Sequence, residues 1–223
     1  MKVRMLLIEL GEDRISPRDV PKLRGYIAGK FPEFTELHNH TESNGFKYGY
    51  PMIQYKTLQG VPVVIGINEY AERLVEALYN IDEVDVGGRL IKVFEKAYKI
   101  KSYDLGSREG LGLYRFISPW MALNQENHRR YAGMSEQDRQ ELLKRILTGN
   151  ILSMSKSLSY RVDTPINVLI KLEPVNVNFK SRQMLAFKGE FMTNFLIPDY
   201  LGIGKSVSRG FGTVLRAGEQ EFK

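Results

Sequence analysis

Apolar and polar positions along the chain fall into short blocks whose period changes from two to about three and a half, so strands and helices alternate. The run "VRMLLIEL" near the start predicts a strand, and "SPRDVPKLRGYIAGKF" predicts a helix with Ser16 as N-cap and Pro17 in the first turn. "YPMIQYKT" and "VPVVIGI" predict two strands joined by a turn at Gln59 and Gly60. In "EYAERLVEALYNI" the residues Tyr70, Leu74, Leu78 and Ile81 share one helical face. "VDVGGRLIKVFEKAYKI" then predicts a strand pair, or one bent strand, broken at Gly87 and Gly88. The resulting order, β-α-β-β-α-β, is the ferredoxin-like arrangement.

Residues 102 to 112, "SYDLGSREGLG", are rich in Gly and Ser and predict a linker. Beyond it the pattern partly repeats. "LYRFIS" predicts a strand, and a long helix runs from about Ser135, a suitable N-cap, to Ser155 with Leu143, Ile146, Leu147, Ile151 and Leu152 as its buried stripe. "INVLIKLE", "VNVNFKS", "QMLAFKGEFMTNFLI" and the terminal "GTVLRA" predict further strands. The chain therefore reads as an α+β protein of two tandem ferredoxin-like (RRM-like) halves. The first spans 1–102 and the second 113–223, and the second ends in a glycine-rich loop and is the less regular of the two.

Composition narrows the chemistry. The 223 residues include no cysteine, which excludes disulfides, thiolate metal sites and cysteine nucleophiles and agrees with a reducing, cytoplasmic setting. Zinc would have to be held by the three histidines together with carboxylates. No apolar run approaches the length of a membrane span, so no membrane partner is expected. The formal charge is +6. Residues 1–102 hold 15 Lys and Arg against 14 Asp and Glu, leaving 17 against 12 for residues 103–223, so +5 of the +6 lies in the second half. That half should attract anions.

Within it, "IPDYLGIGKSVSRGFGTV" holds four glycines together with Lys205 and Arg209. "GIGKS" invites comparison with the nucleotide triphosphate loop G-x-x-x-x-G-K-[ST], but the first glycine of that pattern falls on Asp199, whose carboxylate repels phosphate. The short remainder of the chain also lacks room for the helix and metal-binding aspartate such enzymes need. What is left is the frame Gly202-x-Gly204-x5-Gly210-x-Gly212 enclosing Lys205, Ser206, Ser208 and Arg209. Glycines admit positive φ and expose backbone N–H groups, which together with the cations and hydroxyls suits a sugar-phosphate backbone. A tight hairpin turn with surface charges is the alternative. Lys180, Arg182 and Lys188, on the strands leading into this loop, would continue the path of an RNA backbone.

A glycine-rich loop GxGxxxxxGxG near the C-terminus of tandem ferredoxin-like halves resembles the CRISPR-associated endoribonucleases (the Cas six family) that cut repeat RNA into guide RNAs. "FKGEFMTNFLIPDYLGIGKSVSRGFGTVL", Phe187 to Leu215, is similar to the C-terminal signature of their subtype I-B branch. The resemblance implies metal-free cleavage of CRISPR repeat RNA with no cofactor, by a histidine after the first helix. It leaves further subunits of a CRISPR effector complex as candidate partners and the choice of monomer or homodimer open. A non-catalytic RNA-binding subunit using the same loop is the competing reading.

At the position the resemblance indicates stands "ELHNHTESNGFKYGY". His38 and His40 are two apart, so in an extended segment both imidazoles face the same side, with Lys47 and Tyr48 a short loop away. Cleavage without metal needs a base for the 2′-hydroxyl proton, an acid for the departing 5′-oxygen and a cation near the phosphate. Histidine suits the first two because both its protonation states are accessible near neutrality. His40 is assigned as base and His38 as its partner or the acid, with the order reversible. Lys47 or Lys30 would supply charge, and Tyr48 would orient or protonate. "HNH" also names a metal nuclease motif, but the additional ligands of that ββα unit are missing. His128, beside Arg129 and Arg130, is not expected to be catalytic; Trp120 is expected in the core or at the domain junction; and some tyrosines of "YPMIQY" are expected to face inward.

Overall fold

The computed structural model describes residues 1–11, 13–37, 49–179 and 182–218. Five of the residues named above, His38, His40, Lys47, Tyr48 and Lys180, lie outside the described residues.

The first half contains β1 (Lys2–Leu10), α1 (Val20–Lys30), β2 (Ile53–Leu58), β3 (Val61–Ile67), α2 (Tyr70–Leu78), a small hairpin of β4 (Glu83–Asp85) and β5 (Leu90–Lys92), and β6 (Lys96–Asp104). Its sheet order is β2-β3-β1-β6. Leu58 pairs with Val61, so Gln59 and Gly60 form a two-residue hairpin loop, and both have positive φ (51° and 89°), as the tightest turns require. Gly87 and Gly88 turn the β4–β5 hairpin, so the sequence from Val84 to Ile100 is a strand pair followed by the separate strand β6.

α1 begins later than its sequence suggests. Residues 17–19 form a turn, Pro21 rather than Pro17 occupies the first helical turn, and Asp19 takes the N-cap place. Ser16 instead opens the preceding turn: the Asp19 carboxylate accepts from its backbone N–H at 3.1 Å and its hydroxyl at 3.0 Å. That reach-back contact is half of a capping box, which explains why the sequence signal sits one turn early.

The second half contains β7 (Gly106–Trp120), α3 (Gln125–Ala132), α4 (Glu136–Ser157), β8 (Val168–Phe179), β9 (Arg182–Leu196) and β10 (Val214–Arg216). The sheet order β10-β7-β9-β8 repeats the fourth-first-third-second order of the first sheet once β4 and β5 are set aside. Both halves are therefore ferredoxin-like. The second departs from the pattern in two places: α3 precedes α4 as an extra helix between β7 and β8, and residues 197–213, between β9 and β10, stand where its second helix would be.

Four local expectations change. The predicted linker at 102–112 is strand, with β6 running to Asp104 and β7 beginning at Gly106. Its glycines are accommodated by irregular pairing, for the β7–β9 register shifts between Ser107 and Gly112. "INVLIKLE" and "VNVNFKS" contribute to one strand, β8, rather than two; Pro174 is tolerated inside it because β8 is the edge strand of its sheet. α3 gave no periodic signal because none of its residues is buried, and it is held by Asn124, whose side chain accepts from Asn127 N–H at 2.6 Å. In α4, capped as expected by Ser135, Leu152 is 44% exposed while Leu142 and Met154 join Leu143, Leu147 and Ile151 in the core.

Two clusters form the interior. One lies between the first sheet and α1 and α2, with Leu6, Ile8, Leu10, Leu23, Ile27, Val64, Leu74 and Leu78. The other joins the opposite face of that sheet, through Met5, Leu7, Leu58, Val63 and Ile65, to Tyr114, Trp120, Leu147, Phe187, Phe191 and Phe195 of the second half. The first sheet is thus covered on both faces, which is why "VPVVIGI" reads as a continuous apolar run.

Candidate nucleic-acid interface

The segment 197–213 is folded tightly against both halves. Gly212 has φ +64°, and a Cβ there would run into the Ile203 carbonyl oxygen. Gly204, at φ +94°, lies so close to Trp120 that a Cβ would stand 2.5 Å from the indole nitrogen. The same indole, fully buried, donates to Asn150 Oδ1 at 3.2 Å and stacks on Phe116 with ring centroids 5.4 Å apart. Trp120 is therefore the core anchor under the loop.

Three of the four motif glycines spend their backbone N–H groups inside the protein. Gly202 donates to Gln54 Oε1 at 3.1 Å, Gly210 to the Val207 carbonyl at 3.1 Å and Gly212 to the Pro119 carbonyl at 2.8 Å. The expected cradle of glycine N–H donors for phosphate is replaced at these positions by close packing. Lack of a side chain matters here because backbone must approach backbone and indole.

The segment also ties the halves together. Tyr50 Oη donates to the Gly202 carbonyl at 2.8 Å, and Lys56 Nζ donates to Thr213 Oγ1 at 3.1 Å. Arg209 forms a parallel bridge with Tyr55, and a side chain at Gly210 would begin 3.2 Å from Val20 Cγ1 on α1. β2 is the edge strand of the first sheet, so the loop covers part of an edge that would otherwise present unpaired backbone groups.

Cations gather where loop, α1 and the β8–β9 hairpin meet. The Arg209 guanidinium lies 5.4 Å from the centre of the Phe179 ring, and Phe179 meets Phe211 edge-on at 5.7 Å. Arg182, paired with Phe179 in the hairpin, is exposed, as is Lys188 further along β9. Arg24, half-buried on α1, has its pKa lowered by burial and then by the Arg209 charge, an effect the Tyr55 hydroxyl opposes. Ser206 and Ser208 are half-buried in the loop. Lys205 is exposed, but its Nζ donates to the Leu123 carbonyl at 3.1 Å, and partial desolvation lowers its pKa.

The chain reaches Leu37 immediately before His38, and the Tyr55 hydroxyl contacts the Leu37 carbonyl at 3.5 Å. At the other end of that segment Tyr50 N–H donates to Ser157 Oγ on α4 at 3.4 Å. Beside Ser157 opens a cavity of about 370 Å³ lined by Leu152, Lys156, Ser159, Tyr160, Arg161 and Val162. Burial raises the phenol pKa of both Tyr50 and Tyr55; Tyr55 is wholly buried and so is no stacking platform, while Tyr50 is half-buried. Lys30 is engaged with Asp82 at 3.5 Å, and His128 is exposed on α3.

Sequence reasoning missed Arg24, Lys156 and Arg161. Arg24 is an ordinary helix residue that only the approach of the distant loop makes notable, whereas Lys156 and Arg161 line a cavity that residues 152–162 form among themselves. Among the described residues, no group of three or more His, Asp or Glu side chains is placed to hold a metal ion.

Comparison with known proteins agrees with this architecture. A family model described as the Cas6b N-terminal domain matches residues 1–104, and one described as the Cas6b C-terminal domain matches residues 106–217. A crystal structure of Cas6b shares 40% identity and a TM-score of 0.92, covering 97% of this chain and 100% of that one. A crystal structure described as the CRISPR RNA processing endoribonuclease Cas6b shares 38% identity and a TM-score of 0.79, with the same coverage of 97% and 100%. An uncharacterized protein of Methanocaldococcus jannaschii is 43% identical over 145 residues, 65% of this chain and 99% of that protein. With two family models that together span nearly the whole chain and a fold shared with these structures, the chain belongs to the Cas6b family.

Proposed function

We propose that this protein is an endoribonuclease that cuts CRISPR repeat RNA, the precursor of guide RNA, without a metal. The observation that carries the reading is the fixed, cation-bearing loop of residues 197–213, locked between the halves in a chain whose family includes a CRISPR RNA processing endoribonuclease. Arg209, Arg182 and Lys188 lie on the RNA path, with Lys180 beside them in sequence. Ser206 and Ser208 add donors, Lys205 holds the loop by donating to the Leu123 carbonyl, and Gly202, Gly204, Gly210 and Gly212 shape the loop that presents them.

The chemistry falls to the segment after Leu37. His40 takes the proton of a 2′-hydroxyl, the freed oxygen attacks the adjoining phosphorus, and the bond to the 5′-oxygen breaks as His38 gives that oxygen a proton. The histidines are exchangeable in these roles. Lys47 offsets the charge that builds on the phosphate, and Tyr48 orients or protonates. The products are a 2′,3′-cyclic phosphate and a 5′-hydroxyl. Partners are the repeat RNA and further subunits of a CRISPR effector complex, with the protein acting in the cytoplasm as monomer or homodimer. Among the described residues, no helix is long and apolar enough to cross a membrane.

The deciding experiment incubates the protein in EDTA with repeat RNA from the encoding genome and with the same RNA carrying a 2′-deoxy sugar before the cut. Cleavage of the all-ribose RNA alone, with cyclic phosphate ends, supports the reading. Tight binding with neither RNA cut would make the protein a non-catalytic RNA-binding subunit. A His40→Ala variant is expected to keep binding and lose most turnover, and unchanged turnover would remove His40 from the mechanism.

A further inference from the structure

Arg24 and Arg209 belong to different halves, 185 positions apart in the sequence, yet each sits in the surroundings of the other. Two contacts and the turn of α1 bring them near each other. Arg209 is bridged to Tyr55 on the edge of β2, and Gly210, the next residue, lies against Val20 on α1. Arg24 is one helical turn beyond Val20, on the same face. The Arg209 guanidinium rests over Phe179, which limits where its fork can point. Arg24 is half-buried, and the charge of Arg209 is the second-largest influence on its acidity, after burial itself. Like charges held close in a partly dry setting repel, and an anion shared between them relieves that repulsion. A phosphodiester is well matched to it, because its two unbridged oxygens each accept from one guanidinium fork.

We propose that Arg24 and Arg209 close as a pincer on a single phosphodiester of the bound RNA, with Phe179 as its floor. The proposal rests on RNA being the substrate of the interface described above. The pincer draws one arm from each half, so RNA can be gripped there only when the halves are docked. It adjoins the Tyr55 hydroxyl that contacts the Leu37 carbonyl, one residue before His38. Arg24 is thus a positioning residue for the strand entering the reaction region, and nothing in its local sequence distinguishes it from a solvated helix arginine.

The test measures binding of the uncleavable 2′-deoxy repeat RNA to wild type, Arg24→Ala, Arg209→Ala and the double variant, then repeats it with single neutral methylphosphonate linkages scanned along the RNA. Each single variant is expected to weaken binding by about ten- to a hundredfold, the range for hydrogen bonds to charged groups. Because both arms hold one phosphate, the double variant should be only slightly worse than the weaker single one. One methylphosphonate position should weaken wild type yet leave both variants almost unaffected, an outcome that merely structural arginines would not give. Arg24→Lys, which keeps the charge and loses the fork, should recover part of the affinity. It also decides the matter should Arg24→Ala fold poorly.

Wild-type binding with single variants within about twofold of it would overturn the pincer alone. Losses that multiply in the double variant, with no shared methylphosphonate position, would do the same. Failure of wild type to bind repeat RNA at all would overturn the functional reading, and the pincer with it.

Discussion

Lys56 and Thr213 meet across the boundary between the halves: Lys56 Nζ donates to Thr213 Oγ1 at 3.1 Å from a side chain that is 1% exposed. Burial pushes the lysine pKa down from 10.5 to about 7. Between those values the unfolded chain holds a proton that the folded protein has lost, so stability rises with pH across that window and is flat below it. Lys56→Met, which conserves volume and removes the charge, should raise the urea midpoint at about pH 6 by on the order of a few kcal/mol of stability, with the gain fading by about pH 10. Thr213 keeps a partner in the variant, since its hydroxyl also contacts the Gly210 carbonyl at 3.4 Å. A lower midpoint at acidic pH would show that the ammonium is a net support.

Gly212 and Gly110 have nearly the same backbone angle, φ +64° and +69°, but Gly212 faces the Ile203 carbonyl whereas nothing lies within 4 Å of a Cβ at Gly110. Gly110→Ala should therefore cost only the left-handed strain, about 1 kcal/mol. Gly212→Ala adds a clash with backbone and should cost roughly 3 kcal/mol or more. Chemical denaturation of the pair checks this, and equal losses would mean that the loop yields easily.

Gly202 is held by both of its polar groups, its carbonyl by Tyr50 Oη at 2.8 Å and its N–H by Gln54 Oε1 at 3.1 Å. Tyr50→Phe and Gln54→Ala should each destabilise the protein by about 1–2 kcal/mol, since each leaves a buried group without its partner. The double variant should lose less than the sum, because one released loop costs little more to release again. Additive losses in thermal melts would show that the two contacts act independently.

Lys205 and Arg209 are neighbours in one motif but differ in what they face, the Leu123 carbonyl for Lys205 and the Phe179 ring for Arg209. Lys205→Met should lower stability by about 1 kcal/mol and change the salt dependence of repeat RNA binding little. Arg209→Ala should reduce the salt slope by about 0.7, the value for one phosphate of a single strand. Equal slopes in filter-binding titrations would put both cations on the RNA.

Much of the fold was legible because its signals are local. The Gln59–Gly60 turn announces a hairpin, Ser135 caps α4 through a bond from Asp138 N–H at 3.2 Å, and alternating blocks predict β-α-β-β-α-β. Where a prediction failed, the deciding partner was remote or absent. Leu152 fits the apolar period of α4 but borders the cavity beside Lys156, and α3 buries nothing that would mark it. The candidate catalytic histidines were singled out by spacing and family resemblance alone, since they lie outside the described residues.

By itself the sequence determined the order of elements, the two-half architecture, the basic character of the second half and the family to which its C-terminal glycine frame is similar. The tertiary structure decided what those glycines are for. Gly202 contacts Gln54, Gly204 contacts Trp120 and Gly210 contacts Val20, all across long stretches of chain. Period and turn chemistry are written into neighbouring residues, whereas the approach of Gly210 to Val20, or the meeting of Lys56 with Thr213, exists only once two sheets have stacked and a loop has closed over their edge.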